Sequence, residues 1–169
     1  MPWLSRSGSW ITVENSGHMK QISCLTRENS HRGAGKSAPT VLVVDDEPLT
    51  RWSMAEVLGE GGYGVTVAGD AASALRAIAG RAPDVIFLDL RLPDSTDLAA
   101  LSVVRRGAPQ AAVVLMTAHG SPELFREAIR RGAAAVMDKP FDMGAVGPLV
   151  KYLLDVRSPD GSPRTTSLY

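Results

Sequence analysis

Four short apolar runs in this chain each end on a polar or charged residue. Val41–Val44 runs into Asp45-Asp46, Val85–Leu88 into Asp89, Val113–Met116 into Thr117, and Ala134–Met137 into Asp138-Lys139-Pro140. Continuous apolar runs without alternation predict strands buried on both faces, as in a parallel sheet. Tyr63–Ala68 predicts a further, shorter strand. Helical patterns fill the spaces between. Pro48 suits a first helical turn, and Met54, Val57 and Leu58 form an apolar stripe that Gly61-Gly62 ends. Asp70 is a candidate N-cap for a helix with Ala71, Ala74, Leu75 and Ile78 on one face, ended by Gly80 and Pro83. Asp97 is a candidate cap for a third helix, with Leu98, Leu101 and Val104 inward and a stop near Gly107 and Pro109. Ser121-Pro122-Glu123 combines a cap, a proline at the first helical position and an acid near the positive end of the dipole. Phe125, Ala128 and Ile129 of that helix face in, and Gly132 stops it. Asp142 opens a last segment with Met143, Val146, Leu149, Val150, Leu153 and Leu154 apolar.

This alternation predicts five βα units: an α/β, doubly wound parallel sheet with helices on both faces and right-handed crossovers. In such sheets ligands bind beyond the carboxyl ends of the strands. Three carboxylates, a hydroxyl and an ammonium are therefore expected to meet at one edge. The final helix carries a difficulty. Gly144 and Gly147 weaken it by roughly 1 kcal/mol each, and Pro148 cannot donate to the carbonyl of Gly144. A bent helix, or one that begins in earnest near Pro148, is the expected outcome.

Outside these units the pattern fails. Residues 1–38 are rich in Ser, Gly, Asn and basic residues, and Trp3, Trp10 and Ile11 sustain no period, so a disordered extension is expected. Met19 offers a later start. Residues 39–155 form the expected domain, and the turn-rich, polar 156–169 a flexible tail. A chain of 169 residues with 44% apolar content fits one globular domain with tails. The net charge of zero hides an asymmetry: residues 1–38 carry five Lys/Arg and two Asp/Glu, whereas 39–155 carry eleven and fifteen. A domain acidic by four gives no reason to expect a nucleic-acid partner. Cys24 is the single cysteine, which excludes an intrachain disulfide and fits a reducing, cytoplasmic setting. No apolar run approaches the roughly 18 residues of a membrane span, and no secretory signal is visible.

Gly33-Ala34-Gly35-Lys36-Ser37 imitates the end of a phosphate-binding loop. The motif needs a Gly where Ser30 stands, and it must follow a strand; this stretch precedes the first one. The strand-end residues carry the chemistry instead. Like charges crowded together push one carboxyl towards its protonated form unless a cation neutralises them. Carboxylates suit Mg²⁺ or Mn²⁺, with Asp46 and Asp89 as candidate direct ligands and Asp45 holding a water. A carboxylate is also a nucleophile towards phosphorus. Lys139 and Thr117 would then serve the phosphoryl oxygens as point charge and donor. Taken singly, an Asp after a strand is more often a turn residue; the joint occurrence at one edge favours chemistry.

The motifs VLVVDDEP, DVIFLDLRLPD, VVLMTAHG and VMDKPFD, in this order, resemble the receiver domain of two-component response regulators. MTAHG and DKPFD are similar to receivers of nitrogen-regulator-type, sigma-54-activating proteins. The resemblance covers residues 40–155. It implies a flavodoxin-like sheet of order 2-1-3-4-5, a phosphoacceptor at Asp89, Mg²⁺-binding acids at Asp45 and Asp46, a metal-binding backbone carbonyl at Arg91, phosphate partners at Thr117 and Lys139, and a cis Lys139–Pro140 bond. Four departures stand out. Asp97 replaces the usual Gly eight residues after the phosphoacceptor, Val136 occupies the switch-aromatic position, Gly147-Pro148 falls in the last helix, and no effector sequence follows.

The expected function is a single-domain response regulator, not an enzyme, phosphorylated by a sensor histidine kinase or phosphotransfer protein and signalling by contact with an unknown downstream protein, or acting as a phosphate sink. Without a switch aromatic it is expected to be a monomer or weak homodimer. The alternative is a degenerate receiver that only binds. A haloacid-dehalogenase-type phosphatase wants DxD after the first strand, and a flavodoxin wants a hydroxyl-rich loop there; Asp45-Asp46-Glu47-Pro48 is neither.

Overall fold

Every predicted strand forms, and the sheet they build is wider than expected. The structure, a computed structural model, describes residues 11–15, 18–21, 38–95 and 98–156. Its strands are β1 (Ile11–Asn15), β2 (His18–Gln21), β3 (Thr40–Val44), β4 (Gly64–Ala68), β5 (Val85–Asp89), β6 (Ala112–Thr117) and β7 (Ala135–Asp138). They lie in the order β2-β1-β7-β6-β5-β3-β4. The five from β3 to β7 are parallel. Numbered among themselves they follow 2-1-3-4-5, the expected order. The helices are α1 (Pro48–Glu60), α2 (Ala71–Gly80), α3 (Ala99–Gly107), α4 (Pro122–Arg130) and α5 (Val146–Val156).

The unbroken apolar runs are explained by burial on both sheet faces. Leu42, Val44, Ile86, Leu88, Val113, Leu115 and Val136 pack towards one side, with Ala74, Ile78, Leu101, Val104 and Ala128 from α2, α3 and α4. Val41, Val43, Val85, Phe87, Val114, Met116 and Met137 pack towards the other, with Met54, Leu58, Leu149, Val150 and Leu153 from α1 and α5. Successive side chains alternate between the two layers, so each central strand needs an apolar residue at every position.

Helix boundaries follow the predicted caps. Asp70 accepts from Ser73 N at 2.6 Å, and Ser121 accepts from Leu124 N at 3.1 Å with Pro122 at the first helical position. Asp97 lies outside the described residues, and Leu98 is the residue flanking α3. Asp142 caps a short 3-10 turn, Met143–Ala145, and α5 proper begins at Val146. Pro148 therefore sits in the first turn of α5, where backbone N–H groups have no intrahelical partner and proline removes nothing. This is the late start anticipated from the sequence.

One expectation is corrected. The extension 1–38 was expected to lack structure throughout, yet β1 and β2 pair antiparallel with each other, and β1 adds antiparallel to β7. Ile11-Thr12-Val13 is a β-branched run, favoured in strands. Only two residues, Ser16 and Gly17, separate the strands, a length and composition that suit a hairpin. The signal was local and short, too brief to register as a period. The loop imitation at residues 33–37, Cys24 and the tail beyond Val156 fall outside the described residues. Among the described residues no helix is long and apolar enough to cross a membrane.

Candidate functional site

Three polar residues are buried among the described residues, and all three lie at the carboxyl edge of the parallel sheet: Asp45, Asp89 and Thr117. Burying carboxylates is unfavourable unless they are paired. Here the pairing comes from Lys139. Its Nζ donates to Asp45 Oδ2 at 2.6 Å and to Asp89 Oδ2 in a short contact. The backbone supplies the remaining donors: Glu47 N to Asp45 Oδ1 and Arg91 N to Asp89 Oδ1, both at 2.9 Å.

Each residue is delivered by a strand end. Asp45 follows β3 directly, and its N–H is held by Ala68 O at the end of β4. Asp89 closes β5 opposite Met116, so Thr117 stands one residue further along β6. Thr117 Oγ1 accepts from His119 N at 3.1 Å, which leaves its hydroxyl hydrogen to donate. Lys139 follows β7; its N–H is held by Thr117 O at 2.7 Å, and its bond to Pro140 is cis, as expected.

The electrostatics follow from this burial. Burial pushes the Asp45 carboxyl up, against the hydrogen bonds from Lys139 and Glu47 N that pull it down. Burial alone would lower Lys139, but its bonds to Asp45 and Asp89 outweigh that and hold the ammonium above the ordinary lysine value. Asp46 is exposed, and one oxygen each from Asp45, Asp46 and Asp89 lie within 4.8 Å of one another. Three carboxylates face one ammonium, leaving an excess of negative charge. The donors are all hard oxygens, without His or Cys, a set that suits Mg²⁺ or Mn²⁺ rather than zinc. Arg91 lies on the loop after β5, two residues beyond Asp89, and is exposed.

Val136 does not share this edge. It is 1% exposed and packs in the layer that contains Leu115 and Ala128. In register it lies between Leu115 of β6 and Thr12 of β1.

Three supporting residues were not singled out from the sequence. Asp94 accepts from Ala71 N at 2.8 Å and Ala72 N at 2.9 Å, tying the loop after Asp89 to the start of α2. Arg51 Nη1 donates to Asp45 O at 2.6 Å and passes beside Gly69, where a Cβ would lie 3.3 Å from Nη1. Gly120 packs so tightly that a Cβ would lie 2.3 Å from Asp138 Oδ1 and 2.4 Å from Phe125 Cε1. Gly120 was legible within MTAHG, but its neighbours were not. The partners of Asp94 are more than twenty residues away and no spacing rule reaches them.

Residues 41–150 match the family model described as the response regulator receiver domain. The chain is 40% identical over 107 residues to the nitrogen assimilation regulatory protein NtrX of Azorhizobium caulinodans, covering 62% of this chain and 24% of that protein. It is 32% identical over 128 residues to the DNA-binding transcriptional regulator NtrC of Escherichia coli K12, covering 76% and 27%. The chain thus spans about a quarter of the length of these curated relatives. The crystal structure of the receiver domain of NtrX from Brucella abortus superposes with a TM-score of 0.63 at 38% identity, covering 68% of this chain and 98% of that one.

Proposed function

The chain belongs to the response regulator receiver family, and from that premise we propose that it accepts a phosphoryl group on Asp89 from a sensor histidine kinase or a phosphotransfer protein and passes the signal on by protein contact. One observation carries the proposal: Asp89 is a buried carboxylate at the strand edge whose Oδ2 is held by Lys139 and whose Oδ1 is held by Arg91 N. Those donors fix the orientation of the carboxylate before a phosphodonor arrives.

In the transfer, a carboxylate oxygen of Asp89 bonds to phosphorus as the phosphorus–nitrogen bond of a phosphohistidine breaks, and the released imidazole nitrogen takes up a proton. The product is an acyl phosphate. Lys139 then has a phosphoryl oxygen to face in place of Asp89 Oδ2, and the Thr117 hydroxyl is one register step along the adjacent strand. Receiver domains bind Mg²⁺ at an acidic pocket. In this chain Asp45, Asp46, Asp89 and the Arg91 carbonyl would hold it. When bound, the ion neutralises charge on the transferring group. The site makes the chain a phosphoacceptor, with no substrate turned over beyond its own phosphorylation and dephosphorylation.

The proposal includes a cytoplasmic location, and a protein rather than a nucleic-acid partner at this domain; the acidic balance of residues 39–155 supports the second of these. Acetyl phosphate and Mg²⁺ should add one phosphoryl group, read by intact mass. Asp89→Asn should take none up; a phosphorylated Asn variant sinks the assignment.

A further inference from the structure

We propose that the segment Gly69–Ala72, which joins β4 to α2, is a brace for both metal-binding loops, and that Arg51 and Asp94 are the positioning residues that fasten one loop each to it. The inference rests on the reading that Asp45, Asp46, Asp89 and the Arg91 carbonyl hold a divalent cation. It assigns roles to two residues outside that set.

The four groups come from two loops, one after β3 and one after β5. Asp45 and Asp89 are buried and held by Lys139. Asp46 and Arg91 are exposed, one and two residues beyond those anchors. What they offer a cation is therefore placed by the backbone around them. A peptide unit is planar, so a hydrogen bond at one of its ends orients the other.

On the first loop the oriented unit is the peptide joining Asp45 to Asp46. Arg51 Nη1 donates to its carbonyl oxygen, Asp45 O, at 2.6 Å. The guanidinium that does so lies against Gly69, where a Cβ would meet Nη1 at 3.3 Å and Cζ at 3.6 Å. On the second loop the oriented unit is the peptide joining Arg91 to Leu92. Leu92 N donates to Ser95 O at 3.1 Å and Ser95 N to Leu92 O at 3.3 Å, closing a four-residue turn. This peptide is trans, so its carbonyl points opposite to its N–H, and the Arg91 carbonyl is directed out of the turn. Asp94, the third residue of the turn, is fastened through both carboxylate oxygens to Ala71 N at 2.8 Å and Ala72 N at 2.9 Å.

Helix capping does not account for the Asp94 tie. α2 has its own cap in Asp70, which accepts from Ser73 N. Asp94 is exposed, so water could satisfy the two amides in its place. Water could not hold the turn, and with it the Arg91 carbonyl. Both loops thus take their position from the same four residues.

Position and charge make different predictions. Removing a cation beside acidic ligands strengthens metal binding by Coulomb's law, whereas freeing the Asp45–Asp46 peptide weakens it. For Asp94 both effects weaken binding, and Asn separates them, because it is neutral yet keeps an acceptor oxygen.

The test titrates the full chain with Mn²⁺ and reads free ion by electron paramagnetic resonance. Asp94→Ala and Arg51→Met should each raise the dissociation constant about tenfold, the lower end of the effect of removing a group that supports a metal ligand. Asp94→Asn should recover part of that loss. In chelator, the melting temperature of Asp94→Ala should stay within about 4 °C of the unaltered chain, because Asp70 still caps α2. Unchanged affinity in Asp94→Ala, or unchanged or tighter binding in Arg51→Met, would overturn the brace. An Asn variant as weak as Ala would assign the loss to charge and remove the positioning role. A larger fall in melting temperature shared by Asp94→Asn would make the tie a folding contact and count equally against it. No Mn²⁺ binding by the unaltered chain would overturn the metal reading itself, and this inference with it.

Discussion

Lys139 Nζ lies 2.6 Å from Asp45 Oδ2, joining residues 94 apart in the chain across the carboxyl ends of β3 and β7. β5 and β6 lie between those two strands, and the same ammonium also holds Asp89 at the end of β5. One flexible side chain thus neutralises two buried carboxylates that no other described side chain pairs with. The arrangement ties the stability of the sheet edge to the chemistry proposed for it.

Removing that cation should be severe. In Lys139→Met, Asp45 and Asp89 stay buried without their counter-charge, and breaking a buried ion pair from one side costs roughly 3–5 kcal/mol. We expect a loss at the lower end of that range, because Lys139 is itself partly exposed. Urea melts in chelator should show the loss, and added Mg²⁺ should narrow it. A variant as stable as the wild type in chelator would contradict this account of the edge.

Asp138 should behave in the opposite sense. Its Oδ1 is buried without a hydrogen-bond partner among the described residues, and burial raises its carboxyl above the ordinary value of 3.8. An acid whose folded pKa exceeds its unfolded pKa binds more protons when folded, so stability falls as pH rises through that window. The penalty is complete above the folded pKa and absent below 3.8. Asp138→Asn should therefore stabilise the protein at neutral pH by about 1 kcal/mol, with the gain vanishing in acid. Thermal melts of both proteins from pH 3 to pH 7 check the sign.

Gly120 is small by necessity. A Cβ there would overlap Asp138 Oδ1 and the Phe125 ring, and that ring packs against the core beneath α4. Gly120→Ala should destabilise by about 1–3 kcal/mol through overpacking. It should also slow phosphorylation, because the displaced loop begins at Thr117. Gly120→Ala combined with Phe125→Leu should recover part of both losses. No recovery in melting temperature would place the strain elsewhere.

The parallel sheet was legible because its strands are short, apolar on both faces and closed by charges. Asp45, Asp89, Thr117 and Lys139 could be assigned to one edge from strand direction alone, since every βα unit delivers its strand end to the same side. The late start of α5 was also legible, because Pro148 is compatible with a first turn and not with an interior one.

Tertiary structure decided what depends on distant partners. Asp94 gained its role from the α2 amides, Arg51 from the Asp45 carbonyl, and Gly120 from the meeting of Asp138 and Phe125. None of these pairs shares an element or a period. Residues 11–21 show the limit most clearly. Their strand character rests on a few β-branched residues, while their place in the fold rests on an open β7 edge more than a hundred residues away. A local pattern can specify which segments extend and which faces are apolar. Which backbone edge is left unpaired, and therefore what will pair with it, exists only once the sheet has formed.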